Sequence, residues 1–418
     1  MRMRSGGRMP SRRRANVDSR EPSRRRRAGV DSRELSEGAV DGARALIAGA
    51  ADRGWMGPDP YDGLLGRWPA ALRRHAVTRQ AIVQLHARAP IDLRRLYRRR
   101  EHPRIAKALA LFAQSALRLE SVRPDVGTAA RGREALELLL ADGEAAWGYP
   151  FDVQTRWSFY PRGAPNVVVT SFAGSALAEA GRTLGEERLR MRARRAAEWV
   201  LERTFNAATG AFSYHEHSDA VIHNANLLAA RLVWECLPDD AGARSAVASA
   251  VQRSLAALAP DGTWPYGDGD GLGWRDSFHT GFVLGALVAL EDVDREVADA
   301  LARGSRAYAD RFFGPRGEAR LWLDRAYPED AHAAGTGLST LAALGGRGLV
   351  DPAIVALVTE RVLTSTLRDG HAIWRRGRLW RTHVSYMRWC DAHVALGLAD
   401  AARALARTDR PAPMISAA

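Results

Sequence analysis

The chain holds two cysteines and one lysine among its 418 residues. Cys236 and Cys390 are too few for a disulfide framework and too far apart for a local zinc site, so both read as core thiols. No run approaches the roughly 18 apolar residues of a membrane span. The basic N-terminus has no apolar stretch behind it, which argues against a signal peptide, and the pair Arg12-Arg13 lacks that stretch for a twin-arginine signal. Strand-like alternation is nearly absent. No glycine-rich loop follows a strand, which excludes a Rossmann or P-loop nucleotide cradle. No Gly-x-Ser-x-Gly elbow stands in a strand–turn–helix context. These absences point to a soluble cytoplasmic protein built from helices.

What is present begins with charge. The chain carries 61 basic and 48 acidic side chains, a net +13. Residues 1–34 hold 12 arginines against Asp18, Glu21, Asp31 and Glu34, so +8 of the excess is local to them. A direct repeat runs through this segment, from Ser11 to Glu21 and again from Ser23 to Glu34. Such a polar duplication cannot bury a core, and residues 1–35 read as a disordered basic tail. The body, 36–418, carries only +5. Lys107 is the sole lysine, and the dominance of arginine reflects codon composition. A basic stripe with interleaved aromatics is missing, so no nucleic-acid partner is expected. The tail could touch an anionic membrane surface weakly.

From about residue 36 apolar residues recur at helical spacing. Connectors pairing a turn glycine with an aromatic recur too: Gly148, Gly210, Gly262, Gly317 and Gly370 are 62, 52, 55 and 53 residues apart. Two helices per such unit is a helical-hairpin array. One series, 103–120, 165–181, 220–236, 276–292, 330–346 and 384–405, is rich in small apolar residues and poor in charge. The other, 36–52, 128–142, 185–203, 241–258, 294–312 and 351–367, has charges interrupting an apolar stripe. Six apolar helices ringed by six half-polar ones is an all-α (α/α)6 toroid.

In such a toroid the loops entering the inner helices meet at one mouth. Asn166, His223, His279, His332 and Tyr386 are 57, 56, 53 and 54 residues apart and occupy matched positions there. With Tyr160, Asn224, Trp264, Trp274, Arg388 and Trp389 they form a pocket suited to sugars: aromatic faces stack on rings, while amides and cations bond hydroxyls and carboxylates. Asp276 and Asp330 could supply the carboxylate pair of a glycosidase. Alternatively, His279 and Tyr386 could exchange a proton at a sugar carbon, with Arg388 on a uronate carboxylate. The same residues have structural readings: Asp276 and Asp330 as N-caps, Trp264 as packing between hairpins. The histidines lack metal-site spacing, and Asp268-Gly-Asp270-Gly lacks the rest of a calcium loop, so neither metal nor cofactor is expected.

Asp59-Pro-Tyr-Asp-Gly-Leu64, Trp147-Gly-Tyr-Pro-Phe-Asp152, Pro165 to Phe172, His223-Asn-Ala-Asn-Leu-Leu228, Asp276-Ser-Phe-His-Thr-Gly281, Asp330-Ala-His332 and Tyr386-Met-Arg-Trp389 occur in order through most of the chain. Together they resemble a little-characterised bacterial and archaeal helical-toroid family of the six-hairpin glycosidase-like superfamily. Val153 and His393 stand where that pattern has aromatic residues. The resemblance implies the (α/α)6 fold and a polysaccharide-biosynthesis setting beside glycosyltransferases. The leading expectation is a glycoside hydrolase-like enzyme with Asp276 and Asp330 as acid and base. A uronate epimerase or lyase is the alternative, and a non-catalytic glycan-binding partner of a glycosyltransferase is the reading of another class.

Overall fold

The computed structural model describes residues 31–408, except 67, 90, 92, 94–101, 157 and 324. The segment expected to be a disordered tail lies outside the described residues as far as residue 30. Its last residues, from Ser32, already belong to the first helix.

Helix α1 (Ser32–Asp52) is followed by a 3-10 turn over Asp62–Leu65 and by two helices that periodicity did not reveal, α2 (Ala70–Arg74) and α3 (Ala76–Arg88). Ten helices then alternate: α4 (Ala106–Glu120), α5 (Val126–Ala141), α6 (Val167–Leu184), α7 (Glu187–Thr204), α8 (His223–Cys236), α9 (Ala241–Leu255), α10 (Ser277–Ala289), α11 (Glu296–Phe312), α12 (Ala331–Gly345) and α13 (Ala353–Ser365). The last, α14 (Ala392–Thr408), follows a π-helical turn over Met387–Asp391. That turn is why the final inner helix starts later than the apolar pattern from residue 384 suggests.

The inner ring closes. Helix α4 packs on α6, α6 on α8, α8 on α10, α10 on α12, α12 on α14, and α14 returns to α4. Each has an outer partner, and the first helix of the body, α1, backs the last, α14, so these two helices lock the ring. The chemistry behind the two layers is plain. Ala106–Ala116 of α4 is buried all round, whereas α7 buries only Leu189, Ala193, Ala196, Ala197, Val200 and Thr204, one stripe at helical spacing. Each fully buried leucine or valine of these stripes contributes about 1.5–3 kcal/mol. Glycines set the closest crossing. A Cβ on Gly335 of α12 would lie 2.4 Å from the His393 carbonyl carbon, and one on Gly397 would lie 2.4 Å from the Gly335 carbonyl oxygen.

The recurring glycine–aromatic connectors interlock neighbouring hairpins. The backbone N–H at the head of each later inner helix donates to the next connector: Val167 to the Tyr214 carbonyl, His223 to Tyr266, Ser277 to Leu321, and Ala331 to Trp374. Met387 donates to Pro58 and completes the circle. Short two-stranded ribbons stiffen the connectors, among them Val153–Gln154 with Phe159–Tyr160 and Glu329–Asp330 with Arg375–Arg376. The inner helices therefore run parallel to one another, with their N-terminal ends gathered at one face.

Candidate functional site

At that face Asp276 is the N-cap of α10. Its Oδ1 accepts the His279 backbone N–H at 2.9 Å, and its Oδ2 accepts Trp274 Nε1–H at 3.1 Å. The same Oδ2 lies 2.6 Å from His279 Nδ1. The cap fixes the carboxylate, and the i,i+3 spacing on the first turn brings the imidazole back onto it. An Nδ1–H donated to Asp276 leaves Nε2 as the basic nitrogen. Asp276 is buried, while the His279 side chain keeps 23% of its surface exposed. The Tyr266 ring stacks on Trp274 at 4.2 Å and lies 4.6 Å from the His279 ring, an aromatic wall beside the base.

Below this wall the ring axis is filled with aromatic and cationic groups. His332 stacks on Phe278 at 4.2 Å and meets His393 at a tilt at 4.3 Å, with Trp389 5.3 Å away. Burial, reinforced for His332 by His393 and for both by Lys107, drives the two imidazoles well below their ordinary pKa, so both are neutral. Both ring nitrogens of His332, and Nε2 of His393, have no hydrogen-bond partner among the described residues. The sole lysine lies here too, with Lys107 Nζ 4.0 Å above the Phe172 ring and 4.9 Å from that of Phe282. Burial and then the charge of Arg388 lower its pKa well below the usual range, against a smaller opposing pull from Asp59.

The other expected residues divide by what they touch. Tyr160 packs on Tyr214 at 4.9 Å, within a group of tyrosines that also includes Tyr61, Tyr149 and Tyr266 and lies close enough for mutual influence on ionisation. Burial pushes Tyr61 and Tyr160 up to about 12. Trp389 meets both Tyr61 and Phe278. Asn166 caps α6 through Oδ1, leaving its buried Nδ2 without a partner, and the buried Asn224 Oδ1 likewise has none among the described residues.

Several expected roles are redirected. Asp330 caps α12, accepting the His332 and Ala333 N–H groups on Oδ1, while Oδ2 takes Arg375 Nε at 2.8 Å; both oxygens are committed. Tyr386 is buried and donates to the His86 carbonyl at 3.2 Å, with its ring against Trp374 rather than His279. Arg388, considered for a uronate carboxylate, forks onto Asp59 through Nε at 2.7 Å and Nη2 at 2.9 Å, both groups buried. Trp264 packs beside Gly304 of α11 and donates Nε1–H to the Ser254 carbonyl, the packing role rather than a sugar platform. His223 is buried between Asp268 and Ser254, a link between connector and outer helix.

The residues missed as site members are Asp59, Tyr61, Lys107, Tyr149, Tyr214, Phe278 and His393. Lys107 did carry a signal, as the one lysine of the chain, standing in an apolar helix. A cavity of about 690 Å³ lies on the other side of the Phe172–Phe282–His393 layer, lined toward the C-terminal ends of the inner helices by residues such as Leu228, Ser339 and Arg403. Among the described residues no group of three or more His, Cys, Asp or Glu side chains could hold a metal ion.

No protein-family model matches the chain, and no curated protein matches it in sequence. Solved structures do. An unsaturated glucuronyl hydrolase specific for heparin matches with a TM-score of 0.59 over 90% of this chain and 98% of its own, at 10% identity. Cellobiose 2-epimerase from Bacillus thermoamylovorans matches at 0.56 over 72% and 88%, with 11% identity. An inactive α-1,6-mannanase variant from Salegentibacter, in complex with α-1,6-mannotriose, matches at 0.56 over 89% and 99%, with 10% identity. At such identities the likeness establishes the fold, an (α/α)6 toroid, and nothing further.

Proposed function

We propose that this chain is a carbohydrate-active enzyme that moves a proton at a sugar carbon next to a carbonyl or carboxylate, the chemistry of an epimerase or lyase. The observation that carries the reading is the 2.6 Å contact between Asp276 and His279, whose partly exposed ring lies beside Tyr266. Such a dyad suits general-base catalysis: the imidazole takes the proton, and the carboxylate holds its tautomer and steadies the imidazolium. The aromatic wall gives a sugar ring a face to stack on.

Hydrolysis by Asp276 and Asp330 is the second reading. A glucuronyl hydrolase among the matching structures speaks for it, and the commitment of both Asp330 oxygens to a cap and to Arg375 speaks against it. The resemblance to a family encoded beside polysaccharide genes favours a surface-polysaccharide substrate in a biosynthetic or modifying step, with a glycosyltransferase as neighbour. Incubation with uronate-containing oligosaccharides in deuterated water separates the readings. Deuterium at one sugar carbon is expected from epimerisation, and an unsaturated, ultraviolet-absorbing uronate from elimination. New reducing ends with neither that label nor an unsaturated uronate would overturn the proposal in favour of hydrolysis, and tight binding without turnover in favour of a non-catalytic glycan-binding protein.

A further inference from the structure

The hairpin between α13 and the π-helical turn has a tip unlike the rest of the surface. Between His371 and His383 the sequence carries four arginines and no acid. Its base is well ordered by hydrogen bonds: Thr382 N–H donates to the Arg375 carbonyl at 2.9 Å, Arg376 pairs with Arg381, and Gly377 N–H donates to the Trp380 carbonyl at 2.8 Å. At the turn Leu379 is 93% exposed and Trp380 is 52% exposed. Arg376, Arg378 and Arg381 are exposed and have no ion-pair partner among the described residues. The nearest acids in the paired strand are already used, Asp330 by Arg375 and Glu329 by Arg361.

A leucine held in water at a rigid turn, beside a half-exposed tryptophan whose ring covers Gly377, marks the tip as a contact site. The combination of residues decides what it contacts. Tryptophan favours the interface of a bilayer, arginines meet lipid phosphates, and an apical leucine buries its surface among acyl chains. A sugar polymer would use the indole face and the arginines but leave the leucine in water. We propose that the tip Arg376–Arg381 docks on an anionic lipid surface, with Leu379 and Trp380 entering the headgroup region. Because Arg375 at its base holds Asp330 at the head of α12, docking keeps the N-terminal face of the ring at that surface. This inference stands apart from the proton-transfer reading and uses none of its residues.

The test is co-sedimentation of the full chain with vesicles of phosphatidylcholine alone and of phosphatidylcholine mixed with phosphatidylglycerol. Binding to the mixed vesicles is expected, falling about tenfold in Leu379→Ser/Trp380→Ser and about fivefold for each of Arg378→Gln and Arg381→Gln. An environment-sensitive dye on Leu379→Cys, in a Cys236→Ser background, should shift to the blue on the mixed vesicles. That local readout separates the tip from the arginine-rich segment at residues 1–34. Unchanged dye emission, or variants that bind like wild type, would overturn the proposal. So would retention on an acidic polysaccharide that requires Trp380 while vesicles are ignored.

Discussion

Asp276 joins fold and chemistry in one side chain, ending a helix with one oxygen and orienting His279 with the other. Asparagine caps helices about as well as aspartate, but it cannot hold the imidazole by a charge. Asp276→Asn should therefore keep a thermal midpoint close to wild type while turnover falls about 10²–10⁴-fold; thermal denaturation and initial rates on one preparation check both. The Arg388–Asp59 pair predicts the opposite pattern. Removing one partner leaves a buried charge alone, so Asp59→Asn should destabilise by about 3–5 kcal/mol, read by denaturant titration. Asp276 and His279 were legible because the cap signal and the i,i+3 spacing lie within four residues. Asp59 and Arg388 stand 329 positions apart, and nothing local in either segment announces the other.

At the scale of elements, the seam between α12 and α14 is set by Gly335 and Gly397, where backbones approach too closely for a Cβ. Gly335→Ala must push the helices apart, and overpacking of this kind costs about 1–3 kcal/mol, visible as a lowered thermal midpoint. The alternating helices of the ring were readable because inner and outer layers bury different fractions of their surface, and that difference is written in composition. Helices α2 and α3 were not, since α2 buries nothing and α3 packs only Ile82, Val83 and His86 against a small separate cluster. The π-helical turn before α14 runs straight into that helix, so the apolar pattern did not separate the two. The N-caps Asp125, Asn166, Asp240, Asp276 and Asp330 all stand at helix starts, and three of them double as expected site residues. A polar residue at a matched position in successive hairpins thus reports the repeat first and the chemistry second.

For the whole molecule, three buried histidines tie stability to pH. Burial lowers the pKa of His223, His332 and His393, against a partial pull upward on His223 from Asp268. Above the unfolded value near 6.5 both states are neutral and stability is full. Below it the unfolded chain binds protons that the native state refuses, so each histidine removes up to about 1.4 kcal/mol per pH unit until its native pKa is reached. Denaturant titrations should show the protein less stable at pH 5 than at pH 7, with a shallower slope in His393→Phe. A closed ring also bears on function. Its interlocking connectors hold the N-terminal face as one rigid rim, which suits a base that must stay aligned with a stacked sugar. The central claim is that His279 is that base. Its most direct test is the rate of proton removal from the sugar, read as deuterium entering a recovered epimer or as formation of an unsaturated product, compared between wild type and His279→Ala. The account predicts a fall of about 10²–10⁴-fold with the fold intact; proton removal at the wild-type rate would contradict it.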